Sequence, residues 1–81
     1  MNLNEYDVLI GARFREERIK RKMSLADVGN RFNVSRQSIF KYEKGQRGIP
    51  LEMFFKMLEF YDLNPNQFVK EIIAEAEKRG L

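Results

Sequence analysis

The sequence predicts an all-α fold: one compact five-helix domain in which two short helices form a helix-turn-helix. Three observations predict it. Apolar residues recur at helical spacing along the whole 81-residue chain, and no stretch alternates with the two-residue period of a strand. Four of the five periodic stretches open on an Asn or Ser, side chains that accept from the free N–H groups of a first turn. Between the capped stretches Ser24–Phe32 and Ser35–Lys44 only Asn33 and Val34 remain, which allows nothing longer than a tight turn.

Helix 1 is expected to start at Asn4, with Asp7 in the first turn and Leu3 stapled to Val8. Tyr6, Ile10 and Phe14 recur every four residues and should face the core, with Leu9 alongside. Arg13, Arg15, Lys20, Arg21 and Lys22 read as a mostly solvated face, with one or two in reach of a phosphate.

Helix 2 is capped by Ser24, with Asp27 where a capping-box acid stands and a Met23–Val28 staple. Leu25, Val28, Gly29 and Phe32 form one apolar stripe. Glycine is unfavourable in a helix interior relative to Ala, so Gly29 implies close approach of the next helix. Asn33 is able to take the left-handed conformation that the turn needs.

Helix 3 carries V-S-R-Q-S-I-F-K-Y-E-K-G, residues 34–45, with its start, stop and both faces written in. Ser35 caps it, Val34 and Ile39 staple it, and Gly45 stands at a left-handed C′ position. At about 100° per residue, Ile39 and Tyr42 face a core while Arg36, Gln37, Phe40 and Lys41 face away. Arg, Gln and Lys suit the edges of guanine and adenine in the major groove, so these are the expected base-reading residues. Phe40 has no clear place in the core. It fits a thymine methyl group, and equally an intersubunit or helix-4 surface.

The loop Gln46–Pro50 carries turn residues. Helix 4 follows from Pro50 or Leu51 to Tyr61, with Leu51, Phe54, Phe55, Leu58 and Tyr61 as its apolar side. Helix 5 opens on Asn64 as cap, Pro65 at N1 and a Leu63–Phe68 staple, and runs to Arg79 before Gly80. Phe68 and Val69 can close the core. Ile72, Ile73 and Ala76 exceed what so small a core needs, so residues 64–80 are expected to supply a dimer interface; the alternative is packing back onto helix 1.

Residues from about Ile10 to Phe68 resemble the Cro and phage-repressor helix-turn-helix family, often called XRE-like. The resemblance rests on I-G-A-R-F-R at Ile10–Arg15, Arg18, M-S at Met23–Ser24, V-S-R-Q-S-I at Val34–Ile39, Y-E-K-G at Tyr42–Gly45 and the leucine-bearing helix downstream. It implies a lambda-repressor-like fold and a structural ion pair between Arg18 and Glu43, tying helix 1 to the end of the recognition helix. It also places Lys44 and Arg47 on backbone phosphate. Ser24, Ser35 and Ser38 complete the expected phosphate-contacting set, although capping and turn geometry account for them as well. Two positions depart from the family: Leu25 replaces a frequent Gln that touches phosphate, and Glu17 stands where many members carry a core Leu.

Composition narrows the chemistry. The chain has no Cys and no His, which excludes zinc-finger recognition, thiolate chemistry and a His-based triad. The serines have no base beside them, so an enzyme is not expected, nor a metal or cofactor. No apolar run reaches membrane-spanning length. Residues 11–48 hold 11 Lys/Arg against 4 Asp/Glu, a net +7, whereas the rest holds 4 against 8, a net −4. A basic half carrying the helix-turn-helix is the footprint of a phosphate-binding surface.

These readings converge on a cytoplasmic, sequence-specific double-stranded DNA-binding transcriptional regulator, a repressor acting as a homodimer on a pseudo-palindromic operator. The alternative is an antitoxin-like module in which helix 5 grips a protein partner and DNA binding is secondary.

Overall fold

The structure is a computed structural model and describes residues 4–81. Five helices follow in order: α1 (Glu5–Lys20), α2 (Leu25–Phe32), α3 (Arg36–Lys44), α4 (Leu51–Phe60) and α5 (Pro65–Lys78). The caps act where the sequence puts them. Asn4, Ser24, Ser35 and Asn64 each accept from the backbone N–H three residues on, and Ser24 and Asp27 form a reciprocal capping box. The Leu3 half of the first staple lies outside the described residues.

Two apolar clusters share a set of half-buried side chains. Leu9 and Phe14 of α1, Met57, Leu58 and Tyr61 at the end of α4, and Phe68, Ile72 and Ala76 of α5 form the larger. The Phe14 ring is its hub, stacked on Phe68 at 4.9 Å and edge-on to Phe54 at 5.8 Å. Val28, Ile39 and Tyr42 form the smaller, beneath the helix-turn-helix, and Phe32, Ile49, Met53 and Phe60 bridge the two.

Three expectations about faces are corrected. Tyr6 is 46 % exposed rather than in the core. A four-residue step over-rotates an α-helix by about 40°, so Tyr6 sits about 80° round from Phe14 and misses the packed side. On α4, Leu51 and Phe55 are exposed; the inward face is Met57, Leu58 and Tyr61, with Phe54 half-buried.

The third correction concerns α5. Ile72 and Ala76 are buried, 8 % and 1 % exposed, in the cluster that also holds Leu9 and Phe14 of α1. They follow Phe68 at four-residue steps along one side of the helix, and that side packs back onto α1. They are therefore not surplus surface. Val69 and Ile73, one residue further round, are 45 % and 48 % exposed.

Glu17 is the unusual member of the interior. It is 2 % exposed and is bonded by Arg13 and Arg21, with Lys20 at 3.6 Å. Burial by itself would raise its carboxyl. The hydrogen bonds from Arg21 and Arg13, with the charges of Arg13 and Lys20, outweigh that and bring it down to about 2. At Glu17 the chain thus buries a carboxylate among its own Arg and Lys side chains.

Candidate nucleic-acid interface

The motif is built from backbone constraints outward. α2 ends on Asn33 at φ 57°, in the left-handed region, and the Val34 N–H returns to the Gly29 carbonyl at 2.9 Å. That return brings the Val34 carbonyl to 2.7 Å from where a Gly29 Cβ would stand, so only glycine fits. Gly11 performs the same service between α1 and α3: a Cβ there would lie 2.2 Å from the Tyr42 carbonyl oxygen. α3 ends on Gly45 at φ 73°.

With α3 so fixed, Ile39, Tyr42 and Glu43 point inward and Arg36, Gln37, Phe40, Lys41 and Lys44 point to solvent. Glu43 is the helix's one acid and is withdrawn from the outer face. It receives the Arg18 guanidinium through two hydrogen bonds, Nε to Oε2 at 2.8 Å and Nη2 to Oε1 at 2.9 Å, and Arg18 Nη1 also donates to the Met23 carbonyl at 2.9 Å. Both side chains are buried, and the bond to Glu43 holds the Arg18 guanidinium above its already high ordinary pKa. The structural pair implied by the family pattern is therefore present.

Among the described residues, the side-chain hydrogen bonds and ion pairs of α3 run through Ser35, Ser38 and Glu43 and involve none of Arg36, Gln37 and Lys41. Lys44 places its ammonium 5.7 Å from the centre of the Phe40 ring. Past Gly45, Arg47 is held beside α3: it donates to the Ser38 hydroxyl at 3.2 Å and lies 5.9 Å over the Tyr42 ring. Ser38 is bonded to the Ser35 hydroxyl at 3.0 Å. Ser24, Ser35 and Ser38 are thus all engaged in capping or bracing, while Lys44 and Arg47 present charge at the rim.

The basic run of α1 contributes less than its sequence promises. Arg13 is tied to Glu17 and, at 2.9 Å, to Glu71 of α5; Arg21 binds Glu17 and the Tyr61 carbonyl. These two hold α1 to α5 and to the end of α4. The spacing Arg13, Glu17, Arg21, each four residues from the next, is the signal that marks such a clamp, since side chains so spaced meet on a helix. Arg15, Lys20 and Lys22 remain on the solvent side.

Among the described residues no three His, Cys, Asp or Glu side chains are grouped to hold a metal, and no helix is long and apolar enough to cross a membrane. A groove of about 700 Å³ runs between the end of α2 and α4, with Arg31 lying over the rings of Phe32 and Phe60.

Comparison with known proteins agrees with this geometry. The chain is 26 % identical over 77 residues to an uncharacterized HTH-type transcriptional regulator, y4aM, of Sinorhizobium fredii (strain NBRC 101917 / NGR234), covering 95 % of this chain and 54 % of that protein. It thus spans about half the length of the curated relative it matches. No solved structure matches it. The helix-turn-helix family model matches residues 14–68, from the middle of α1 to the first turn of α5, and so takes in both motif helices and α4 whole. The chain belongs to the XRE-type helix-turn-helix family.

Proposed function

We propose that the chain binds double-stranded DNA sequence-specifically as a transcriptional regulator, a repressor acting as a homodimer on a pseudo-palindromic operator. One observation carries this reading: the outer face of α3 presents Arg36, Gln37 and Lys41 with no acid among them, because Glu43 is turned inward onto Arg18. A solvated helix face ordinarily mixes both signs. This one is matched to an anionic partner with hydrogen-bonding edges.

Lys44 and Arg47 flank the face and position it on phosphate, while Arg36, Gln37 and Lys41 read bases. Self-association falls to the exposed apolar pair Val69 and Ile73 of α5, with Phe55 of α4. A two-fold axis would set the recognition helices about 34 Å apart, one turn of duplex.

Selection of bound duplexes from a random pool tests the reading. A palindromic site is the expected result. Equal recovery of all sequences would overturn base readout, and a stoichiometric second protein in place of self-association would favour the antitoxin-like alternative. A reporter carrying the selected site over a promoter gives the sign of regulation, with loss of expression expected.

A further inference from the structure

Phe40 is 43 % exposed, belongs to neither apolar cluster, and stands on the outer face of α3 between Arg36 and Lys44. The Lys44 ammonium, 5.7 Å from the ring centre, steadies the side chain and adds positive charge, and 43 % of the residue stays open to solvent. Every other side chain on that face is a hydrogen-bonding one. An apolar group there has one kind of counterpart in the major groove: the C5-methyl group of a pyrimidine, the only apolar substituent the groove displays. Opposite a guanine, an adenine or an unmethylated cytosine, the ring would leave a polar base edge without its water and without a partner.

We infer that Phe40 is a specificity-determining residue that reads the C5-methyl group of one pyrimidine in each half-site. The inference rests on the DNA-binding reading of α3 and deepens it. Phe40 lies three residues beyond Gln37, about 4.5 Å along the helix axis, so the methyl group belongs within about two base pairs of the pair read by Gln37. Thymine supplies that methyl group directly. A cytosine in the same place supplies it only when methylated at C5.

Thymine-to-uracil scanning of the selected site tests this, because uracil differs from thymine by that methyl group alone. For the wild-type chain one uracil position per half-site is expected to weaken binding about three- to fivefold, the worth of one methyl group withdrawn from water. In Phe40→Ala that uracil penalty should vanish, and in Phe40→Leu it should partly remain. With cytosine at the same position, 5-methylcytosine should bind more tightly than cytosine in the wild type and equally in Phe40→Ala; this arm separates a methyl reader from a reader of thymine as a whole base. A flat uracil scan with a tight wild-type complex, or an undiminished penalty in Phe40→Ala, overturns the inference and leaves DNA binding standing. Wild-type protein that prefers no duplex overturns both. Sedimentation of Phe40→Ala should match wild type; a change in self-association would assign the ring to a protein interface instead.

Discussion

Arg18 of α1 and Glu43 of α3, 25 residues apart in sequence, meet as a two-point fork with bonds of 2.8 and 2.9 Å, both side chains buried. The fork fixes how α3 sits on α1 and turns the one acid of α3 away from its outer face. Arg18→Ala or Glu43→Ala should each cost about 3–5 kcal/mol, since removing one partner strands the other as a buried charge. The double mutant should lose less than the two single losses added together. Thermal melts of the three variants give the answer. A single variant with wild-type stability and altered base preference would show that the pair reads DNA.

Gln37→Ala should weaken binding to the selected site by roughly 1–3 kcal/mol and relax preference at one base pair of each half-site. Arg47→Ala should weaken selected and scrambled duplexes alike, because its guanidinium stands at the rim beside Ser38 and Tyr42 rather than at the centre of the face. The salt dependence separates them. Losing one phosphate contact should make the slope of log affinity against log salt shallower by about 0.9, and losing a base contact should leave it unchanged.

Glu17 makes stability pH-dependent in a defined window. Its carboxyl is lowered from an ordinary 4.5 to about 2, so the folded state favours the ionised form. The resulting stability is fully present above about pH 4.5 and is lost as pH falls through 4.5 towards 2. Glu17→Gln should reduce stability at neutral pH by on the order of 1–3 kcal/mol and flatten the acid limb of the stability curve. Denaturant titrations of both proteins from pH 7 to pH 2 measure it. An acid limb unchanged by the substitution would show that Glu17 is not its source. Glu71, also lowered, chiefly by its bond from Arg13, acts in the same direction, so part of the limb should survive.

Ile72 and Ile73 are neighbours in sequence with opposite predicted consequences. Ile72→Glu places a charge in the cluster with Leu9 and Phe14 and should abolish cooperative folding. Ile73→Glu places it on the exposed side of α5 and should leave the melt near wild type while shifting the dimer towards monomer. Sedimentation and melting of both proteins check the assignment. A folded Ile73→Glu dimer of wild-type affinity would remove α5 from the interface. A wild type that is monomeric at micromolar concentration without DNA would remove the dimer altogether.

The local features of this chain were legible in the sequence because their causes are local. A cap requires an Asn or Ser beside a first turn, a left-handed stop requires Gly45, a two-residue turn requires Asn33, and an outward face follows from the angle between Arg36, Gln37 and Lys41. The Arg18–Glu43 pair was legible through its family pattern. The choice of which apolar and charged residues are covered was made only by the tertiary structure. α1 is contacted by α3 on one side and α5 on another, so its buried residues do not lie on a single stripe: Leu9 is covered while Tyr6 is not. α5 is wide enough in apolar residues to present either of two faces, and the packing of Phe68, Ile72 and Ala76 beside Leu9 and Phe14 selected one and left Val69 and Ile73 outside. Arg13 and Arg21 look like solvated charges until Glu17 is buried between them. Periodicity fixes the angular relation of residues on one helix; which angle becomes interior depends on where the other helices lie.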